Sequence, residues 1–182
     1  MASGSGTNAE NIIKYFADNH DINVHLVLSN KPEAYVLTRA ENHHIPTLIF
    51  NRPDFYETGF VRDRLISEGI DLIALAGFLW LIPGDLIKAF PDKMVNIHPA
   101  LLPKYGGKGM YGSHVHKAVL ENNEKESGIS IHYVNEKYDE GAIIFQAKCP
   151  VLPGDTPDSL AERIHVLEYK HYPEVIEKLL SE

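Results

Sequence analysis

Cysteine is almost absent from the 182-residue sequence: Cys149 stands alone, so no internal disulfide is possible, which fits a reducing compartment. Long apolar runs are also lacking. The longest, Leu72–Ile82, contains Gly77 and stops at Pro83, too short to cross a hydrocarbon layer of roughly 30 Å. The opening residues carry no basic cluster followed by an apolar stretch, so no secretory signal is read there. Positive charge is in deficit, with 17 Lys and Arg against 25 Asp and Glu. The resulting net charge of −8 disfavours a broad nucleic-acid-binding surface but leaves room for a small local anion site. The expectation is a cytoplasmic globular chain without membrane or nucleic-acid partners, its length suited to one domain over residues 1–182.

What is present has a regular rhythm. Apolar, β-branched runs recur at Val24–Leu28, Thr47–Phe50, Leu72–Ala76, Met94–Ile97, Ser130–Val134 and Ile143–Ala147. Helix-like stretches fall at Asn8–Asn19, Glu33–His43, Phe55–Ser67, Gly84–Ala89 and His114–Asn122. A last one begins near Pro157, with Thr156 as its cap and Pro173 expected to kink or divide it. Alternation of this kind predicts an α/β fold: a Rossmann-like, doubly wound, mostly parallel sheet with helices on both faces. The last two strands, joined by a short polar loop, are expected to form an antiparallel hairpin. Ligands in such folds sit at the carboxyl ends of the strands.

Three features lie where that rule points. Ser3-Gly4-Ser5-Gly6-Thr7-Asn8 runs straight into a helix, so close backbone approach and free amides suit a bound anion such as phosphate; the same residues also read as an ordinary flexible terminus. A glycine loop of this kind normally follows a buried strand, yet only Met1 and Ala2 precede it. Either the native chain begins upstream or the sheet lacks its first strand. At Val95-Asn96-Ile97-His98-Pro99, strand alternation places Asn96 and His98 on one side, where an amide donor and an imidazole suit acyl-type transfer. Backbone-satisfied strand-end residues are the plain alternative. Asn135-Glu136-Lys137-Tyr138-Asp139-Glu140-Gly141 carries a carboxylate in a hairpin loop, which is also ordinary turn chemistry.

Four motifs stand in a fixed order: the glycine loop, Leu75-Ala76-Gly77-Phe78, Asn96-Ile97-His98-Pro99 with Leu101-Leu102-Pro103, and Tyr138-Asp139-Glu140-Gly141. In this the chain resembles the folate-dependent formyltransferase family over nearly its whole length, most closely the members that act on glycinamide ribonucleotide in purine biosynthesis. The resemblance implies a one-carbon transferase with 10-formyltetrahydrofolate as co-substrate, no metal, and a monomeric or homodimeric state. It makes His98 the proton-transferring histidine, Asn96 its neighbouring amide and Asp139 the catalytic carboxylate, expected to raise the His98 pKa. It assigns Gly6, Thr7, Asn8 and Glu168 to the ribonucleotide, with His165 where relatives place a basic phosphate contact. It assigns Leu79, Trp80, Leu81, Ile82, Asn96 and the loop Asn135, Glu136, Lys137, Tyr138 and Asp139 to the folate. Relatives often have arginine where Trp80 stands, so an indole replaces a guanidinium there. His132 matches a position in relatives and is read as a packed or hydrogen-bonded strand residue. The glycine-rich stretch Lys104–Gly112 is a flap over the site or a tolerated surface insertion. A deformylase-type hydrolase and a non-catalytic folate or nucleotide binder are the competing readings.

Overall fold

The computed structural model describes residues 1–181. In chain order these form α1 (Thr7–Tyr15), β1 (Val27–Ser29), α2 (Tyr35–Asn42), β2 (Thr47–Ile49), α3 (Arg52–Tyr56), α4 (Phe60–Ser67), β3 (Ile73–Leu75), α5 (Gly84–Ala89), β4 (Met94–His98), α6 (Ser113–Glu121), β5 (Glu126–Tyr133), β6 (Ile143–Pro150) and α7 (Pro157–Ser181). β1 and β2 pair in parallel, as do β3 and β4; β5 then runs antiparallel to β4 and to β6, which gives the expected hairpin. The hydrogen-bonded strands fall into two groups, β1-β2 and β3-β4-β5-β6. Met1–Ser3 lie between them: the Ala2 amide donates to Leu28 O at 3.0 Å and the Ala76 amide to Met1 O at 2.9 Å.

Helices cover the sheet as amphipathicity demands. Ile12 and Phe16 from the α1 end, with Leu160, Ile164, Tyr172 and Ile176 of α7, pack on Val95, Ile97, Ile129 and Ile131 of the central strands. Tyr172 is wholly buried, and its hydroxyl donates to Leu75 O at 2.9 Å and Val95 O at 3.1 Å, fastening α7 across the carboxyl ends of β3 and β4. A second core joins β3 to α4 and α5 through Val61, Leu65, Ile73 and Leu86. No described helix is long and apolar enough to cross a membrane.

Three boundaries differ from the sequence reading, each for a local reason. α1 stops at Tyr15 rather than Asn19 because the Asn19 side chain accepts the amides of Asp21 and Ile22, both at 2.9 Å, and turns the chain. The helix expected over Phe55–Ser67 is two helices. Asn51 and Asp54 form a capping box that starts α3 early, and Gly59, at φ 72°, breaks the run before α4. Pro173 does not divide α7, which runs unbroken from Pro157 to Ser181. Proline removes the donor that would have reached Tyr169 O, and Asn11 Nδ2 supplies one instead at 2.8 Å.

Candidate active site

β4 ends with Asn96 and His98 on one side of the sheet, and the β5–β6 loop folds back so that Asp139 meets both. His98 Nδ1 lies 3.5 Å from Asp139 Oδ2, and Asn96 Nδ2 donates to Asp139 Oδ1 at 3.3 Å. The other His98 nitrogen, Nε2, sits 2.7 Å from Tyr105 O. A carbonyl only accepts, so Nε2 carries the proton and Nδ1 is left as the working nitrogen. Asp139 has φ 56°, a left-handed conformation that Asp tolerates better than most residues, and the Gly107 amide fixes its carboxylate by donating to Oδ2 at 2.9 Å.

His132 belongs to this cluster. β4–β5 register sets it opposite Asn96; its Nδ1 faces Tyr133 O at 2.8 Å, which places the proton there and leaves Nε2 to accept from Asn96 Nδ2 at 3.1 Å. That Nε2 is also 3.5 Å from Asp139 Oδ1. Both Asn96 N–H groups are thus engaged, one by His132 and one, at longer range, by Asp139.

The electrostatics correct one expectation. Burial pushes the His98 pKa below its ordinary 6.5, and the opposing influence of Asp139 is smaller, so the net shift is downward, not upward. Asp139 itself stays below the usual carboxylate range: burial opposes ionisation, but His132, His98 and the Gly107 amide together outweigh it. A neutral imidazole beside a carboxylate is the resting state this favours near neutral pH.

Lys104–Gly112 is more than a tolerated insertion in its first half. Tyr105 O and the Gly107 amide hold His98 and Asp139, and a Cβ on Gly106 would lie 2.6 Å from Leu102 Cδ2 and 3.2 Å from Asp139 Cβ. The backbone comes this close to Asp139 because glycine has no side chain.

The residues assigned to the ribonucleotide converge from opposite ends of the chain. Gly6 caps α1 at φ 74°, where any Cβ would collide with Val36. Thr7 and Asn8 follow in the first turn, whose amides have no intrahelical acceptor. Asn8 Nδ2 donates to Glu168 Oε2 at 2.9 Å, while Asn8 Oδ1 is buried without a partner. Glu168 is not on the wet face of α7: it is buried, and burial raises its pKa against the pull of Asn8 and His165. His165, half-exposed, stands 4.0 Å from Glu168 Oε2.

The folate assignments form two facing walls. Leu79 is exposed, and its amide donates to Ser3 Oγ at 3.1 Å; Leu81 O accepts from Tyr56 Oη at 2.8 Å, and Ile82 is buried. Across from them, Glu136 Oε1 would lie 2.9 Å from a Cβ on Gly84. Asn135 Oδ1 accepts the Lys137 amide at 2.9 Å, Lys137 pairs with Glu140, and Tyr138 lies close enough to Tyr56 to influence its ionisation. Trp80 packs edge-on to Phe50 and beside Phe55, Tyr56 and Phe78. The sequence reading missed Arg52, whose guanidinium lies 5.1 Å from the Trp80 ring centroid. Only the fold brings a cation from α3 back beside Trp80.

A Rossmann-like α/β sheet with an imidazole, an amide and a carboxylate gathered at its strand ends defines a group-transfer site of the acyl class. Comparison with known proteins gives the particular family. The family described as formyl transferase matches residues 1–176, and the chain belongs to it. The chloroplastic phosphoribosylglycinamide formyltransferase of Arabidopsis thaliana is 41% identical over 100% of this chain and 64% of its own length. The phosphoribosylglycinamide formyltransferase of Bacillus subtilis is 40% identical over 100% of this chain and 93% of its own. Among solved structures, glycinamide ribonucleotide transformylase 1 from Symbiobacterium toebii superposes with a TM-score of 0.90 at 35% identity, covering 99% of this chain and 85% of that one. The chain therefore spans a little under two thirds of the plant relative and nearly all of the Bacillus one.

Proposed function

We propose that this protein transfers the formyl group of 10-formyltetrahydrofolate to the primary amine of glycinamide ribonucleotide, the step of purine biosynthesis for which its relatives are named. The observation that carries the reading is the convergence of His98 Nδ1 on Asp139 Oδ2 at 3.5 Å, with Asn96 bonded to the same carboxylate. The buried Asn8–Glu168 pair supports a polar, hydroxyl- and phosphate-bearing acceptor at the mouth of α1. The facing segments Leu79–Ile82 and Asn135–Asp139 form the folate cleft, and Arg52 stands ready for an anionic tail. The protein works in the cytoplasm, as a monomer or homodimer, on small-molecule substrates.

In this mechanism the amine nitrogen attacks the formyl carbon, and the carbonyl oxygen gains negative charge. Asn96 turns an N–H from Asp139 to that oxygen. His98, neutral in the resting site, takes the proton that the amine loses through Nδ1, and Asp139 stabilises the resulting imidazolium. The carbon–nitrogen bond to the folate then breaks, and the same proton passes to the departing folate nitrogen. Following the absorbance of 5,8-dideaza-10-formylfolate with and without glycinamide ribonucleotide tests the assignment. Turnover only with the amine present is expected. Amine-independent loss of the formyl group indicates a hydrolase, and no reaction in either case indicates a binder; each outcome rejects the proposal.

A further inference from the structure

A cavity of about 740 Å³ lies away from the catalytic cluster, between β1 and β3. Its long walls are two extended segments, Val24–Leu28 and Leu72–Ala76, each of which pairs with a neighbouring strand only on its far side. Its floor includes Phe16 and Ile176, and its roof Leu65. One end is closed by Met1–Ser3, and the bonding there defines the width. Met1 donates to Ala74 O at 2.7 Å and accepts from the Ala76 amide at 2.9 Å, the pattern of a parallel bridge, while Ala2 donates to Leu28 O at 3.0 Å. A single extended backbone fills the gap and bonds to both walls. Beyond Met1 the same walls continue through Leu26 and Val24 on one side and Ile73 and Leu72 on the other. Both faces of the space are apolar, the environment of a fully buried parallel strand.

Charge marks the closed end. The Met1 ammonium is held away from water, which brings its pKa down to about 5, and among the described residues no carboxylate pairs with it. A polypeptide entering parallel to β1 and β3 would end there with its carboxyl group. We propose that this slot accepts an extended apolar segment of a separate polypeptide, about five residues long, parallel to both strands and with its terminal carboxylate against Met1. Backbone amides and carbonyls along both walls supply the affinity, as in strand addition to a sheet edge. A compact apolar molecule would fill the volume but leave those groups unpaired.

The probe is the peptide acetyl-Lys-Lys-Val-Ile-Val-Leu-Val with a free carboxylate, titrated into the full chain. The expected result is 1:1 saturable binding, a rise in Tm that saturates with it, and hydrogen-exchange protection confined to Val24–Leu28 and Leu72–Ala76. A carboxamide-ended analogue binds at least about tenfold more weakly through loss of the charged contact. An analogue with proline at the third apolar position does not bind. Leu26→Lys abolishes binding by the free-carboxylate peptide; should that variant fail to fold, the proline analogue on the unaltered chain decides the matter. Absence of saturable binding, equal binding by the proline analogue, protection elsewhere, or filling of the slot by a second copy of the chain in place of the peptide overturns the proposal.

Discussion

His98 and Asp139 face each other at 3.5 Å across a buried cluster in which the other imidazole nitrogen is already committed to Tyr105 O. The carboxylate acts on one nitrogen only. Burial outweighs it, leaving His98 below its ordinary 6.5, so the acid limb of kcat/KM is expected below that pH. Asp139→Asn removes the largest influence that raises the His98 pKa. The limb then moves to still lower pH, and kcat falls by about 10²–10³ because the developing imidazolium loses its counter-ion. His98→Ala and Asn96→Ala lose activity on the same scale. A pH–rate profile of each variant checks this; an Asp139→Asn limb that stays in place or moves up contradicts the arrangement.

Asn8 and Glu168, 160 residues apart, share a 2.9 Å hydrogen bond beside the first turn of α1. Under the proposed function they touch the acceptor and not the folate. Glu168→Gln and Asn8→Ala are expected to raise KM for glycinamide ribonucleotide by roughly 10- to 100-fold, the cost of a hydrogen bond to a charged group, with KM for the folate unchanged. Steady-state kinetics with each substrate varied in turn measures the split.

Local signals carried the fold further than they carried the site. Apolar runs at two-residue period placed all six strands within a few residues, because each strand's burial is written in its own side chains. Asn96 and His98 were legible for the same reason, since alternation along β4 sets both on one side. Asp139 was not, because its position depends on how the β5–β6 loop returns to β4. Arg52 and the burial of Glu168 were beyond sequence reasoning: one depends on α3 starting early at a capping box, the other on α7 packing against α1. The direction of the His98 shift was misjudged because charge proximity is visible in a motif and desolvation is not.

His116 couples stability to pH. It is buried on α6 with Nδ1 unpartnered, and burial, with smaller contributions from His165 and His98, brings its pKa from 6.5 down to about 4. The unfolded chain therefore takes up this proton first as pH falls. Native stability is full above about pH 7.5 and declines between 6.5 and about 4, by about 3 kcal/mol in all from this residue. His98 adds to the slope in the same direction, whereas Asp139, lowered from 3.8, sets its loss below that window. Urea titrations of wild type and His116→Gln at pH 7.5 and pH 5 separate the contributions: the variant is expected to lose less stability on acidification. An unchanged difference between the two pH values rules out His116 as the source.

Asn11 lets α7 continue through Pro173. Proline at that position leaves Tyr169 O without its helical donor, and Asn11 Nδ2 fills the place at 2.8 Å, tying α1 to α7 near Asn8 and Glu168. Asn11→Ala strands a part-buried carbonyl and is expected to cost about 1–3 kcal/mol. In the Pro173→Ala background the helix supplies its own donor to that carbonyl. Asn11→Ala should then cost about 1 kcal/mol less than in the wild-type background, a coupling that a double-mutant cycle by chemical denaturation resolves. Equal costs in both backgrounds mean that the asparagine acts on α1 alone and that Pro173 is accommodated by other means.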